Sequence, residues 1–302
     1  MMVSPRSGET IRLKKKYTAI IIATMIVGVA LLASLVYGSV QETRIAYITV
    51  RTDKDVYSSD ENVTFELIPL TEGVQFTMDG WNDPYWNGVH VVRIPDNVDP
   101  SEVVSDPLVL DRIRSWDRGH VILPVGTFNS SHGPLEMSWN GTMAVMNEMV
   151  EGTQWAKATS GYYLLLPVLQ WSYGHVTKFM LDDAAVFYYD SLNVDIKTVR
   201  TDDSFSMSMD ISLGKGLPEG EYELRSRLHP MRYDVMEPIP TYFNKGISLA
   251  AGKTVRLELG PVEADRYNMA EFDAVLVGPD GQLFAFGIDK GPDRGWYDDF
   301  RY

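Results

Sequence analysis

The side chains of this sequence best suited to chemistry are carboxylates. They gather as Asp96/Asp99/Glu102, Asp182-Asp183, Asp202-Asp203 and Asp298-Asp299. Two carboxylates facing across a cleft can hydrolyse a glycosidic bond. Oxygen ligands spaced along a loop can hold Ca2+. The loop Asp96-Asn97-Val98-Asp99-Pro100-Ser101-Glu102 is the calcium candidate, with Asp96, Asp99 and Glu102 as ligands. It follows no established calcium motif, and a solvated acidic loop is the plainer reading. No other cofactor is expected. The five histidines, His90, His120, His132, His175 and His229, show no His-x-Glu or His-x-x-x-His spacing. The chain has no Cys, which removes disulfides, thiolate metal sites and Cys nucleophiles together. It has no Gly-x-Ser-x-Gly elbow. Gly214-Lys215-Gly216 lies in a turn between strands with no helix after it, so it makes a poor phosphate cradle.

Binding chemistry has a better candidate. Trp81-Asn82-Asp83-Pro84-Tyr85-Trp86-Asn87-Gly88 packs three aromatics with amide and carboxylate groups into eight residues. Trp81, Tyr85 and Trp86 could stack on sugar rings while Asn82 and Asp83 take hydroxyls, or they could anchor a protein partner. The structural alternative is a turn whose Trp side chains plug the core. The tail Trp296-Tyr297-Asp298-Asp299-Phe300-Arg301-Tyr302 has a similar composition. Asn62-Val63-Thr64, Asn129-Ser130-Ser131 and Asn140-Gly141-Thr142 are N-glycosylation sequons. Asn129 lies in a Ser/His/Gly loop, while Asn62 stands at a strand start.

The elements that must position these residues read as β. Tyr222, Leu224 and Leu228 alternate with Glu221, Glu223, Arg225 and Arg227, as a half-buried strand requires. Val255, Leu257 and Leu259 do the same. Phe272 to Val277 and Gln282 to Ile288 flank the hairpin turn Gly278-Pro279-Asp280-Gly281. Leu192 to Val199, Phe205 to Leu213 and Ile247 to Ala250 bring this half to about seven short strands in about 110 residues, the arithmetic of an immunoglobulin-like sandwich. The first half is less regular. Ile45 to Arg51, Asn62 to Leu70, Val89 to Ile94, Val121 to Val125, Leu135 to Trp139, Tyr162 to Leu169, Val176 to Met180 and Ala184 to Tyr189 read as strands. Asp106-Pro107 reads as an N-cap with Pro at the first helical position, followed by the stripe Leu110, Ile113, Trp116. Two phrases recur. Thr49-Val50-Arg51-Thr52-Asp53 returns as Thr198-Val199-Arg200-Thr201-Asp202, a repeated domain start. Gly161-x-Tyr163-x-Leu165 returns as Gly220-x-Tyr222-x-Leu224.

Charge places the chain. Residues 1–16 carry Arg6, Arg12, Lys14, Lys15 and Lys16 against Glu9, a net +4; the whole chain carries −14, so residues 17–302 carry −18. Tyr17 to Gln41 contains no charged residue. Its core of about 19 apolar residues would cover about 28 Å as a helix, close to the thickness of a bilayer core. The Lys14-Lys15-Lys16 cluster keeps the N-terminus in the cytoplasm and sends the acidic body out. A retained signal anchor fits the length better than a cleaved signal peptide, for which Val36-Tyr37-Gly38 offers a cleavage site. A pilin-like leader fits worst, because Lys15-Lys16-Tyr17 lacks a small residue at the cut. An acidic body does not suit nucleic acid.

Thr52-Asp53-Lys54-Asp55-Val56-Tyr57 followed by Glu61-Asn62-Val63-Thr64-Phe65 resembles the opening of extracytoplasmic immunoglobulin-like modules. Ser138-Trp139-Asn140-Gly141 with Gly161-Tyr162-Tyr163 is similar to the "W-D/N-G … G-x-Y" ending of such modules and of an immunoglobulin-like proteinase-inhibitor family, with a longer spacing and a Met-rich insertion here. The whole chain looks like a single-span archaeal surface protein. The expectation is therefore a mainly β chain: a cytoplasmic basic segment (1–16), a transmembrane signal-anchor helix (17–40), two tandem immunoglobulin-like β-sandwich domains (44–190, with a short helical insertion, and 191–290) and an aromatic/acidic tail (291–302). The expected role is a cell-membrane, extracytoplasmic binding or structural protein. It would touch the lipid bilayer through 17–40 and a cell-envelope protein or glycan through its loops. It would not be an enzyme. The alternatives are a glycan-acting hydrolase using paired carboxylates, or a proteinase-inhibitor-like accessory domain.

Overall fold

The computed structural model describes residues 24, 25, 27, 44–73, 75–77, 88–96, 98–105, 120–123, 127–145, 149, 154–168, 177–200, 204–231, 240–263 and 269–290. The chain falls into two compact units, 1–45 with 171–178, and 46–170 with 179–302. Thr24, Met25 and Val27, in the first unit, are helical. The remainder of the expected span 17–40 lies outside the described residues, and no helix among the described residues is long and apolar enough to cross a membrane.

The described chain is mainly β. Its strands are β1 (Arg44–Thr52), β2 (Val56–Ser58), β3 (Val63–Pro69), β4 (Gln75–Thr77), β5 (Gly88–Arg93), β6 (His120–Leu123), β7 (Thr127–Asn129), β8 (Leu135–Trp139), β9 (Thr142–Val145), β10 (Gln154–Lys157), β11 (Gly161–Val168), β12 (Thr177–Asp183), β13 (Ala185–Asp190), β14 (Leu192–Arg200), β15 (Ser204–Leu213), β16 (Gly220–Met231), β17 (Thr241–Leu249), β18 (Thr254–Glu263), β19 (Met269–Val277) and β20 (Leu283–Lys290). One six-residue helix, α1 (Pro100–Ser105), joins β5 to the segment before β6.

The first half of the chain builds two main sheets, ordered β12-β1-β3-β8 and β2-β13-β11-β5-β6. Alternation sorts the side chains of each strand to opposite faces. Ile48, Phe65 and Leu67 from the first sheet share one core with Val91, Tyr163 and Phe187 from the second. Burying each such side chain contributes roughly 1.5–3 kcal/mol. Trp139, at the end of β8, lies in this core with its ring centroid 5.4 Å from Tyr163 and 5.3 Å from Tyr189. Its indole N–H donates to the Thr142 carbonyl at 2.8 Å. The two motifs Trp139-Asn140-Gly141 and Gly161-Tyr162-Tyr163 thus meet through their aromatic rings.

The second half follows the same plan. The sheet β14-β15-β18 and the strands β17-β16-β19-β20 share a core that includes Met209, Ile211, Tyr222, Leu224, Phe272 and Phe286. The expected turn between β19 and β20 is present, with Gly278 N–H donating to Gln282 O at 2.8 Å and Gly281 N–H to Gly278 O at 2.9 Å. This sheet does not stop at β20. Its full order is β17-β16-β19-β20-β10-β9, with β10 parallel to β20 and Lys157 opposite Phe284. A hairpin made early in the chain therefore extends a sheet made late. Ala156 of β10 packs with Val275 and Ala285 on the face turned away from the main core.

The recurring Gly-x-Tyr phrase has a physical purpose. Gly161 opens β11 and Gly220 opens β16. Two residues later a tyrosine enters the core and reaches back to the chain it came from. The Tyr163 hydroxyl donates to Thr159 O at 2.8 Å, and the Tyr222 hydroxyl donates to Pro218 O at 2.7 Å. Each bond spans four residues and fixes how the chain enters the strand. Burial pushes both phenols up to about 12.

Candidate functional site

The structure gives the three carboxylates of the calcium candidate separate surroundings. Asp96 accepts from the Arg93 guanidinium at 2.9 Å. Asp99 caps α1: its Oδ1 accepts from the Ser101 N–H at 2.8 Å and from the Ser101 hydroxyl at 2.7 Å. These two bonds hold its carboxyl below the usual range. Pro100 then occupies the first helical position. Glu102 is exposed on the first turn of the helix. Among the described residues no group of three or more His, Cys, Asp or Glu is arranged to hold a metal ion. The Asp-Pro helix signal expected at Asp106-Pro107 lies outside the described residues, but the same signal operates at Asp99-Pro100.

The recognition segment Trp81, Asn82, Asp83, Tyr85 and Trp86 lies outside the described residues, as does the tail 291–302. Of the sequon residues, Asn62 is exposed just before β3. Asn129 ends β7. Asn140 is exposed in the turn from β8 to β9, and its Oδ1 accepts from the Thr142 N–H at 3.1 Å and the Thr142 hydroxyl at 2.6 Å.

The structure also assembles a buried polar seam that the sequence did not announce. It lies where β2, β8, β10, β11 and β13 end and the second half begins. Lys157 is only 9% exposed. Its ammonium donates to Asn140 O at 2.9 Å and sits 5.8 Å from the centroid of the Tyr189 ring. Burial lowers its pKa, against the pull of the nearby Asp60. The Tyr189 hydroxyl donates to Ser59 O at 3.3 Å, and burial raises its pKa strongly. Ser59 donates its hydroxyl to Lys215 O at 2.9 Å. Ser160 accepts the Ser191 N–H on its Oγ at 2.7 Å and donates its own N–H to Leu192 O at 2.9 Å. The Arg93 guanidinium donates to Ser160 O at 3.0 Å. Two glycines make room. At Gly141, with φ of +73°, a Cβ would overlap the Tyr189 hydroxyl. At Gly161 a Cβ would lie 2.8 Å from Arg93 Nε. Most of these partners are backbone carbonyls and amides, so the chemistry of the seam is that of a joint. Its sequence signal is faint: single polar residues in small, weakly patterned segments such as Ala156-Lys157-Ala158.

No family model and no curated protein matches the chain. Among solved structures, the β-glucosidase from Kluyveromyces marxianus matches at 14% identity and TM-score 0.23, over 37% of this chain and 15% of that one. Trypsin-activated α2-macroglobulin from Escherichia coli matches at 10% identity and TM-score 0.31, over 82% of this chain and 16% of that one. A DUF4785 family protein from Legionella pneumophila matches at 12% identity and TM-score 0.23, over 84% and 54%. The chain therefore spans about a sixth of the first two and about half of the third, and at these scores the likenesses carry no functional argument.

Proposed function

We propose that this chain is a membrane-anchored, extracytoplasmic binding or structural protein of the cell envelope. In this reading a signal-anchor helix over 17–40 carries two tandem immunoglobulin-like β-sandwich domains (44–190 and 191–290). The loops at 79–88 and 95–102 would be presented to a protein or glycan partner.

The observation that carries the sandwich reading is strand order. In the second half the first, second and fifth strands lie together (β14-β15-β18), and the fourth, third, sixth and seventh lie together (β17-β16-β19-β20). That division is the one an immunoglobulin-like chain makes between its A-B-E strands and its C′-C-F-G strands. The first half resembles it, with β1-β3-β8 in one sheet and β13-β11-β5-β6 in the other, each sheet carrying one further edge strand, β12 beside β1 and β2 beside β13. Tyr163 bonds back to the backbone carbonyl of Thr159 just before β11, a contact of the kind the tyrosine corner of such domains makes. Tyr222 makes the same contact on the third strand of its own half. The membrane placement is supported by the basic foot, the uncharged stretch from Tyr17 to Gln41 and the acidic body.

The test is topological. A full-length chain tagged at both ends is expressed in cells, and protease is added outside. Loss of the C-terminal tag with survival of the N-terminal one is expected, together with retention in carbonate-washed membranes. A protected C-terminal tag, or a chain recovered free of membrane, would overturn the proposal.

A further inference from the structure

The sheet β2-β13-β11-β5-β6 has an outer face as well as a core face, and the described residues cover only half of the outer face. Val103 of α1 packs against Val92, Ile94, Leu164 and Leu166 there. Beyond this cover the same face continues as a row across three strands. Val56 of β2 stands opposite Tyr188 of β13, which stands opposite Tyr162 of β11. Val56 is 57% exposed and Tyr162 is 45% exposed. The two tyrosine rings meet edge to face, 5.1 Å apart with 69° between their planes.

Charge says what such a row suits. Asp55 precedes Val56, and its carbonyl accepts the Tyr188 N–H at 2.8 Å. Asp190 follows Tyr188 by two residues and helps raise the pKa of that phenol, after burial. At the row's far end Ile94 donates its N–H to Tyr162 O at 2.8 Å, and Asp96 beyond it is taken up by Arg93. The neighbouring cations are engaged: Lys54 pairs with Glu61 at 2.6 Å and Arg93 with Asp96 at 2.9 Å. An apolar row flanked by Asp55 and Asp190 suits a cationic partner by charge complementarity. A second copy of this acidic chain would meet repulsion there.

The geometry points to the row Val56, Tyr188 and Tyr162 as the docking surface for a basic, Arg- or Lys-bearing segment of a protein partner. This assignment rests on the binding-protein reading above and not on its membrane placement. It is tested with the full-length chain and a fluorescein-labelled Arg/Ser peptide, read by anisotropy. Binding that weakens with salt is expected. Tyr162→Ser should weaken it about tenfold, the size expected of an aromatic anchor. Val56→Ser, on another strand, should weaken it in the same direction. Tyr242→Ser, which removes an exposed tyrosine of β17 without touching the row, should leave it unchanged. Circular dichroism checks that each variant folds. Equal binding by Tyr162→Ser and the parent overturns the proposal, as does an equal loss in Tyr242→Ser, which marks general charge attraction. Tyr162-dependent binding of a neutral glucan, without peptide binding, replaces it with a glycan site. None of these results alters the outcome of the protease experiment, so the two proposals fail separately.

Discussion

Glu61 shows how a single side chain ties this surface together. Lys54 lies 2.6 Å away, and the N–H and hydroxyl of Ser58 each donate to the other carboxylate oxygen at 3.0 Å. The lysine bond above all, then the serine bonds, hold the carboxyl down to about 2. A depressed folded-state pKa adds stability above the ordinary carboxylate range and loses it as pH falls through the folded value. Urea midpoints measured between pH 5 and pH 2 should therefore fall less steeply for Glu61→Gln than for the parent. The buried phenols act at the other end of the scale. Their pKa is raised, so they stabilise the fold below pH 10 and lose that contribution as pH climbs through about 12. Tyr222→Phe should lose about 1 kcal/mol at neutral pH by breaking the bond to Pro218 O. It should also soften alkaline unfolding, which a denaturation series from pH 8 to pH 12 would show. The tyrosines were visible beforehand because a glycine marks each one at a fixed spacing. Lys157 was not, since nothing in Ala156-Lys157-Ala158 distinguishes an inward lysine from an outward one.

Among the elements, long strands were legible and short ones were not. β3, β8, β11 and β13 fall where alternation or continuous apolar runs put them, within a residue or two. β9 and β10 are four residues each, too short for a period to declare itself, and β10 inverts the usual pattern. Trp155 is 60% exposed while its neighbour Lys157 is buried, because the strand lies along a polar seam instead of over a hydrophobic core. The helix is likewise local: Asp99 supplies its cap. Asp99→Ala should cost about 1 kcal/mol of helix stability, seen as faster amide exchange over 101–105 with little change in global unfolding. The turn after β8 is less forgiving. Gly141→Ala combines a left-handed φ with overlap on the Tyr189 hydroxyl, so a loss of about 2 kcal/mol or more in chemical denaturation is expected.

At the scale of the molecule, the basic foot and acidic body were plain in the sequence, and so was the β character. The sharing of a sheet between halves was not, because strand pairing across long separations leaves no mark on local periodicity. That sharing predicts one cooperative transition for the body, since β10 pairs with β20 of the second half and the chain directly after it, at Ala158, enters the first core. Ala156→Glu, which puts a charge into the small cluster with Val275 and Ala285, should resolve thermal unfolding into two steps by calorimetry. Order of synthesis adds a consequence. Phe284 follows Lys157 by 127 residues, so a ribosome finishes the β9–β10 hairpin long before its neighbour exists. Until β20 emerges, that hairpin waits with one side open to any other strand that passes. A nascent chain stalled in this interval would be the form most prone to clump, and the form a holding chaperone would have most reason to grasp.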